Sequence, residues 1–192
     1  MSGMTLSLVP KSGRLVYVMG PSGAGKDSVI GFVREAANPL KIAVAHRYIT
    51  RPASSDAENH IALSEREFEA RRQAGWFALN WHSHGLNYGI GREIDLWLES
   101  GRIVIVNGSR AHLTEAARQY ADLLPVLVTA PAEIRLARLQ ARKRESGGDI
   151  QARVNRQIEL GDLAGRIIEI DNSQVLAVAG MTFLNLLETT MA

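Results

Sequence analysis

LVYVMGPSGAGK, residues Leu15–Lys26, decides the fold of this chain. An apolar strand pattern runs directly into G-x-x-x-x-G-K, and an amphipathic helix pattern follows. The glycines of such a loop let the backbone wrap closely round an anion. Backbone N–H groups and the positive end of the following helix then face the phosphates, and Lys26 reaches the outer ones. The stretch therefore predicts a nucleoside triphosphate site.

The residue after Lys26 departs from the usual form of this loop. That position is normally Ser or Thr, whose hydroxyl binds Mg²⁺, but here it is Asp27, and Ser28 follows. A carboxylate is also a hard oxygen donor that suits Mg²⁺. We therefore expect Asp27 or Ser28 to hold the metal, directly or through water. The alternative is that Asp27 only complements the helix dipole.

The composition is that of an ordinary globular protein. With 192 residues, 46% hydrophobic and 22% charged, the chain can bury one sizeable core. The net charge of +2 predicts no nucleic-acid-binding surface, and no apolar run is long enough to span a membrane. The absence of cysteine fits a cytoplasmic location, and the first dozen residues lack the order of a signal peptide.

Apolar strand patterns alternate with helical patterns along the chain, which predicts an α/β fold: a P-loop NTPase three-layer sandwich with a central parallel sheet. We expect strands at 15–19, 42–45, 103–106, 126–129 and 167–170. We expect helices from Lys26 to about 37, from about 131, over 150–160 and over 175–187. These elements predict a single domain whose core covers 13–45 and 92–192.

The segment from about 46 to 91 breaks this alternation. Ser64 and Glu67 form a capping-box signal for a helix that Gly75 ends. Strands are expected at 76–81 and 87–90, joined by a turn at His84-Gly85. This predicts a small α+β insertion. Ligands of open α/β sheets bind beyond the carboxyl ends of the strands, so we expect the insertion to hold a second substrate.

Arginines cluster near a glycine-rich segment late in the chain. Arg138, Arg142 and Arg144 precede ESGGD, and Arg153 and Arg156 follow it. This pattern predicts a lid, about 142–153, that closes over the phosphates; a solvated helix face is the alternative. Elsewhere, His82 and His84 alternate on a strand and form a weak candidate metal pair, because a third ligand is lacking.

Several motifs in order resemble the guanylate kinase family over nearly the whole chain. They are the phosphate loop, Thr50-Arg51-Pro52, Gly85-Leu86-Asn87-Tyr88-Gly89, Arg138-Leu139-Gln140-Ala141-Arg142 and Ile150-Gln151-Ala152-Arg153. The resemblance implies that Arg51 and Tyr88 bind the acceptor phosphate. It also implies that Arg142 and Arg153 act on the transferring phosphate from the lid.

The positions with which that family recognises guanine are different here. A Ser, a Glu and an Asp of the family correspond to Arg47, Leu79 and Asn107, and a phosphate-binding Tyr corresponds to His60. A pocket without the carboxylate that accepts the guanine N–H donors should reject guanine strongly. The added arginine suits a further anion, so we expect a phosphorylated sugar as acceptor.

Three segments and the Gly-Lys-Asp-Ser end of the loop resemble one group within this family, the ribose 1,5-bisphosphate phosphokinases. The segments are HRYITR (46–51), ENHIAL (58–63) and VNGSRAHL (106–113). The resemblance implies ATP with Mg²⁺ as donor and ribose 1,5-bisphosphate as acceptor. The product would be 5-phosphoribosyl 1-diphosphate, made in phosphonate catabolism. A guanylate kinase with an unusual pocket and a non-catalytic binding module are the alternatives.

Three sets of site residues follow from the motifs and the resemblance. The catalytic set is Lys26, Arg142 and Arg153. The ATP-binding set is Gly20, Pro21, Ser22, Gly23, Ala24, Gly25, Lys26, Asp27, Ser28, Arg138, Asp171 and Asn172. The acceptor-binding set is Arg47, Arg51, His60, Leu79, Tyr88, Asn107 and Arg110.

Overall fold

A parallel sheet of five strands forms the centre of the computed structural model, which describes residues 13–52, 60–141 and 165–190. In chain order its strands are β1 (Arg14–Met19), β2 (Ile42–Val44), β7 (Ile103–Asn107), β8 (Leu124–Thr129) and β9 (Ile168–Asp171). Their order across the sheet is β2-β7-β1-β8-β9, and each neighbouring pair is parallel. The predicted parallel sheet is confirmed, with strand ends within two residues of those expected.

Helices cover both faces of this sheet. The described helices are α1 (Lys26–Ala36), α2 (Glu65–Gln73), α3 (Glu93–Glu99), α4 (Leu113–Gln119), α5 (Ala132–Ala141) and α6 (Leu176–Thr190). Val16 and Val18 of β1 face α1 and α6, whereas Tyr17 and Met19 face α3 and α4. All four side chains are fully buried. A strand buried on both sides needs a continuous apolar run, which explains the opening motif and confirms the three-layer architecture.

A second sheet of four strands comes from the segment predicted as an insertion. Its strands are β3 (Arg47–Ile49), β4 (His60–Ala62), β5 (Phe77–Ser83) and β6 (Leu86–Gly91), in the order β4-β3-β6-β5. The hairpin of β5 and β6 turns at His84 and Gly85, which have φ of 51° and 72°. Both values suit a tight hairpin turn, as the sequence predicted. The short strands β3 and β4 were not predicted.

The capping box at the start of α2 is formed as expected. The Glu67 backbone N–H donates to Ser64 Oγ at 3.1 Å, and Phe68 anchors the helix in the protein interior.

No helix among the described residues is long and apolar enough to cross a membrane.

Two predicted features lie outside the described residues. They are the helix over 150–160 and the lid at about 142–153, which contains Arg142 and Arg153. The proposed domain boundaries stay a prediction.

Candidate active site

The phosphate loop joins β1 to α1 in the conformation that its glycines predict. Gly25 has φ of 85°, in the left-handed region, and a Cβ there would collide with the Asn172 amide nitrogen. Lys26 Nζ donates to the Gly20 carbonyl at 3.1 Å, so the ammonium group is held across the loop. Lys26 is also the first residue of α1, and the helix N-terminus therefore points into the loop.

Two residues brace this loop from the carboxyl edge of the sheet. Asn172 Nδ2 donates to the Ala24 carbonyl at 2.7 Å, and Arg138 Nη1 donates to the same carbonyl at 3.4 Å. Arg138 Nη2 also donates to the Asn172 carbonyl at 2.9 Å. Asn172 is only 3% exposed, and its Oδ1 is buried without a hydrogen-bond partner among the described residues. Both residues therefore contact the loop backbone, while their contact with ATP stays a prediction.

Asp27 is oriented by a residue at the end of β7. Asn107 Nδ2 donates to Asp27 Oδ1 at 2.5 Å, which leaves Asn107 Oδ1 buried and without a partner among the described residues. Asp27 Oδ2 and Asn107 Oδ1 are hard oxygen donors of the kind that Mg²⁺ prefers, so the residues present fit this metal. Ser28 is exposed on α1, so between the two predicted ligands the geometry favours Asp27.

Arg47 faces Asp27 from β3, the first strand of the second sheet. Its Nη2 lies 3.9 Å from Asp27 Oδ1, and its guanidinium carbon lies 5.4 Å from the centre of the Tyr88 ring. The Arg47 side chain is only 14% exposed. Burial lowers the pKa of Arg47 below its ordinary value, and the nearby positive charge of Arg51 lowers it further, against the opposing effect of Asp27. A desolvated cation of this kind favours an anionic ligand.

His60 lies beside Arg47 and Arg51, the two residues that we call the cation cluster. Both of its ring nitrogens are buried and accept or donate no hydrogen bond among the described residues. Burial lowers the pKa of His60, and the charges of Arg51 and Arg47 lower it further, with a smaller opposing effect from Asp27. The two arginines therefore concentrate positive potential beside an imidazole whose ring nitrogens are available for hydrogen bonding, an arrangement that suits a phosphate.

Two aromatic residues that support the site were not predicted. Tyr17 Oη donates to the Ser109 carbonyl at 3.0 Å and accepts from the Ser109 N–H at 2.9 Å, which fixes the loop after β7. Burial raises the pKa of Tyr17 well above its ordinary value. The sequence offered one signal for this role, because Tyr17 is the single aromatic residue in the apolar strand β1. A buried phenol needs a hydrogen-bond partner, so a polar contact at this position could have been predicted.

Trp81 packs against Tyr88 on the acceptor side of the site. Its ring stacks on Tyr88 with centroids 5.5 Å apart and an interplanar angle of 5°, and His112 stacks at the same distance with an angle of 26°. Tyr88 is thus held between Arg47 and Trp81. Trp81 is also partly buried against the apolar cluster that contains Tyr17 and Ile90.

Leu79, Arg110 and Asp171 were also predicted as site residues, and they lie in three different parts of the fold. Leu79 is 2% exposed and packs in the apolar cluster that contains Tyr17 and Ile90, so its contact with substrate stays a prediction. Arg110 begins the short 3₁₀-helix Arg110–His112, three residues after Asn107. The Asp171 carboxylate accepts from the Ser173 N–H at 3.0 Å and from Ser173 Oγ at 2.6 Å, which forms the turn before α6.

The His82 and His84 pair has no third ligand in the described part of the chain. No group of three or more His, Cys, Asp or Glu side chains there could hold a metal. His82 Nδ1 instead pairs with Asn87 Oδ1 at 2.9 Å.

Comparison with known proteins finds relatives that share one name and cover most of this chain. The chain is 50% identical over 181 residues to the ribose 1,5-bisphosphate phosphokinase PhnN of Desulfomicrobium baculatum, covering 93% of this chain and 97% of that protein. It is also 50% identical over 176 residues to the protein of the same name from Thiobacillus denitrificans, covering 91% and 93%. No family model matches the chain.

A solved structure supports the fold alone. The guanylate kinase from Anaplasma phagocytophilum superposes with a TM-score of 0.66 and 13% sequence identity, covering 96% of this chain and 89% of that one.

Proposed function

Because this chain belongs to the family of ribose 1,5-bisphosphate phosphokinases, we propose that it transfers the γ-phosphoryl group of ATP to ribose 1,5-bisphosphate. The product would be 5-phosphoribosyl 1-diphosphate, as a step of phosphonate catabolism. Use of ATP as donor favours a cytoplasmic location.

One observation carries this proposal more than any other: the cation cluster stands directly across from the phosphate loop. Arg47 approaches within 3.9 Å of Asp27, and His60 offers two buried ring nitrogens that bind nothing among the described residues. Such a site suits an acceptor with more than one phosphate. A purine would instead need acceptors for its N–H donors, and the position of the guanine-binding Glu of guanylate kinases is held here by the apolar Leu79.

On the donor side, backbone N–H groups of the loop and the α1 N-terminus would bind the phosphates of ATP. Lys26 would leave the Gly20 carbonyl for the outer phosphates, where its charge offsets the charge that develops during transfer. Asp27 and Asn107 would hold Mg²⁺, which supplies charge neutralisation on the phosphate oxygens when bound. Asn172 and Arg138 would keep the loop in shape.

On the acceptor side, Arg47, Arg51, Tyr88 and Arg110 would fix the phosphates of the sugar. An oxygen of the 1-phosphate forms the new bond to the γ-phosphorus, the bond from that phosphorus to the β,γ-bridging oxygen breaks, and ADP leaves with the electron pair. The acceptor oxygen is already ionised, so no general base is required. Arg142 and Arg153, from the predicted lid, would neutralise the transferring group.

The test is product identification with purified protein, ATP, Mg²⁺ and ribose 1,5-bisphosphate. ³¹P nuclear magnetic resonance should show a new diphosphate pair on the sugar and ADP in equal amount. GMP and ribose 5-phosphate, supplied alone, should give little ADP. Formation of GDP at a comparable rate, or release of inorganic phosphate without a new diphosphate, would contradict the proposal.

A further inference from the structure

One oxygen of Asp27 connects the two sides of the site. Asp27 lies in the first turn of α1, on the side of the phosphate loop, and its Oδ1 accepts from Asn107 Nδ2 at 2.5 Å. The same oxygen lies 3.9 Å from Nη2 of Arg47, which belongs to the second sheet. A side chain assigned to the donor metal therefore also contacts an arginine assigned to the acceptor.

This arrangement has an electrostatic cost for an acceptor that binds alone. The Asp27 carboxylate competes with an incoming phosphate for Arg47, and it also repels that phosphate. Both side chains are partly shielded from water, with exposures of 14% for Arg47 and 29% for Asp27, so solvent screens the pair less than it would a surface pair.

Asp27 has a second oxygen through which its charge can be offset. No described residue donates a hydrogen bond to Oδ2, while Asn107 fixes the carboxylate through Oδ1. When Asp27 shares its charge with a divalent cation bound together with the nucleotide, its hold on Arg47 weakens and its repulsion of the acceptor falls.

Resting on the function proposed above, we propose that Asp27 couples the donor site to the acceptor site. The carboxylate holds Arg47 and lowers acceptor affinity until the metal and nucleotide bind, and it then releases Arg47 to the phosphorylated sugar. By linkage, the acceptor raises the affinity for the metal–nucleotide complex by the same factor. The enzyme thereby disfavours the acceptor-only complex and favours donor binding first.

The experiment measures the dissociation constant of ribose 1,5-bisphosphate by calorimetry, first with EDTA and no nucleotide, then with Mg²⁺ and a non-hydrolysable ATP analogue at saturation. Wild-type protein should bind the sugar about tenfold more tightly in the second condition. In Asp27→Asn, which can still accept from Asn107, the sugar should bind about fivefold more tightly than wild type in EDTA, and the difference between conditions should shrink.

A gain of affinity is a result that a merely structural role of Asp27 would not produce. Glu35→Gln, an exposed acid near the end of α1, serves as the matched control and should behave as wild type. Asp27→Ser repeats the test in case the asparagine variant folds poorly, which thermal unfolding reports. Unchanged or weaker sugar binding by the folded variants in EDTA would overturn the coupling.

The coupling and the proposed function fail in different ways. If wild-type protein forms the sugar diphosphate but neither Asp27 variant gains affinity, the coupling is wrong and the activity stands. If wild-type protein binds GMP and not the bisphosphate, the proposed function is wrong, and the coupling falls with it.

Discussion

Replacing Arg47 by glutamine tests the acceptor site most simply, because it removes the charge and keeps a side chain of similar length. In the structure Arg47 lies 3.9 Å from Asp27, and its side chain is 14% exposed. At that separation two unit charges interact by about 4 kcal/mol with an effective dielectric constant near 20. A phosphate in the same position would gain a comparable attraction, part of which the desolvation of both groups offsets.

The net contribution of such a charge-assisted contact is about 1.5–3 kcal/mol. Arg47→Gln should therefore lower kcat/KM for ribose 1,5-bisphosphate by roughly 10- to 150-fold, while KM for ATP changes little. Arg47→Lys should recover only part of the loss, since a lysine cannot make the bidentate contact. The measurement is a coupled assay of ADP release, with each substrate varied in turn.

Arg34→Gln is the matched control, because Arg34 is exposed in the last turn of α1, away from the site. Thermal unfolding of all three variants verifies that they fold. A folded Arg47→Gln enzyme within twofold of wild type would refute the assignment of Arg47 to the acceptor phosphates.

Four further predictions concern the phosphate loop, the core and the response to pH. Lys26→Ala should lower kcat by about 10²–10³-fold or more with little change in stability, measured by ADP release and thermal unfolding. Asn172→Ala should raise KM for ATP and cost about 1–2 kcal/mol in urea unfolding, since it removes the 2.7 Å bond to the Ala24 carbonyl. Leu79→Glu should cost about 3 kcal/mol or more in the same assay, because the side chain is 2% exposed. His60 has a lowered pKa in the folded state, so its contribution to stability is present above its ordinary pKa of about 6.5 and is lost as pH falls below that. His60→Gln should therefore flatten the fall of melting temperature between pH 7.5 and 5.5.

Each of these four predictions has its own control variant or its own contradicting result. Lys41→Ala, an exposed lysine, should keep full activity, and an active Lys26→Ala enzyme would contradict the loop assignment. Asn185→Ala, on the exposed side of α6, should leave KM for ATP unchanged, whereas equal effects of both asparagine variants would speak against the brace. Leu96→Glu, at 68% exposure, should be nearly neutral, and a Leu79→Glu protein as stable as wild type would mean that Leu79 is not buried. Parallel pH curves for wild type and His60→Gln would contradict the lowered pKa.

Much of the fold follows from local patterns in the sequence. The strands of the central sheet are apolar on both faces, and α1 ends close to the predicted residue 37, where the Ala37 N–H donates to the Val33 carbonyl. The hairpin turn at His84-Gly85 also follows from two residues that adopt positive φ. These features depend on neighbours in sequence, so a single chain suffices to predict them.

The strands β3 and β4 could not be found in this way. Each has three residues, and they pair in parallel with one another across the segment between Ile49 and His60. Their pairing depends on partners distant in sequence. Leu79 shows a related difficulty, because a register irregularity between Phe77 and Leu79 breaks the alternation of β5 and buries three consecutive side chains.

In the candidate site, too, features formed by neighbouring residues could be predicted from the sequence, whereas contacts between distant residues could not. The phosphate loop can be predicted from the sequence because its functional groups belong to consecutive residues. The contacts of Asp27 with Asn107 and Arg47 join residues 80 and 20 positions apart, so only the folded chain brings them together. The bracing role of Asn172 likewise depends on the approach of the loop after β9 to Ala24.

A competition between ribose 1,5-bisphosphate and GMP in one mixture, with ATP and Mg²⁺, decides most directly whether the site holds two sugar phosphates or a purine. The ratio of the two products over time gives the ratio of kcat/KM without any correction for enzyme quality. We predict at least a hundredfold preference for the bisphosphate, because the site offers arginines to its phosphates, and the apolar Leu79 occupies the position of the Glu that accepts the guanine N–H donors in guanylate kinases. Equal use of both substrates, or a preference for GMP, would contradict that prediction.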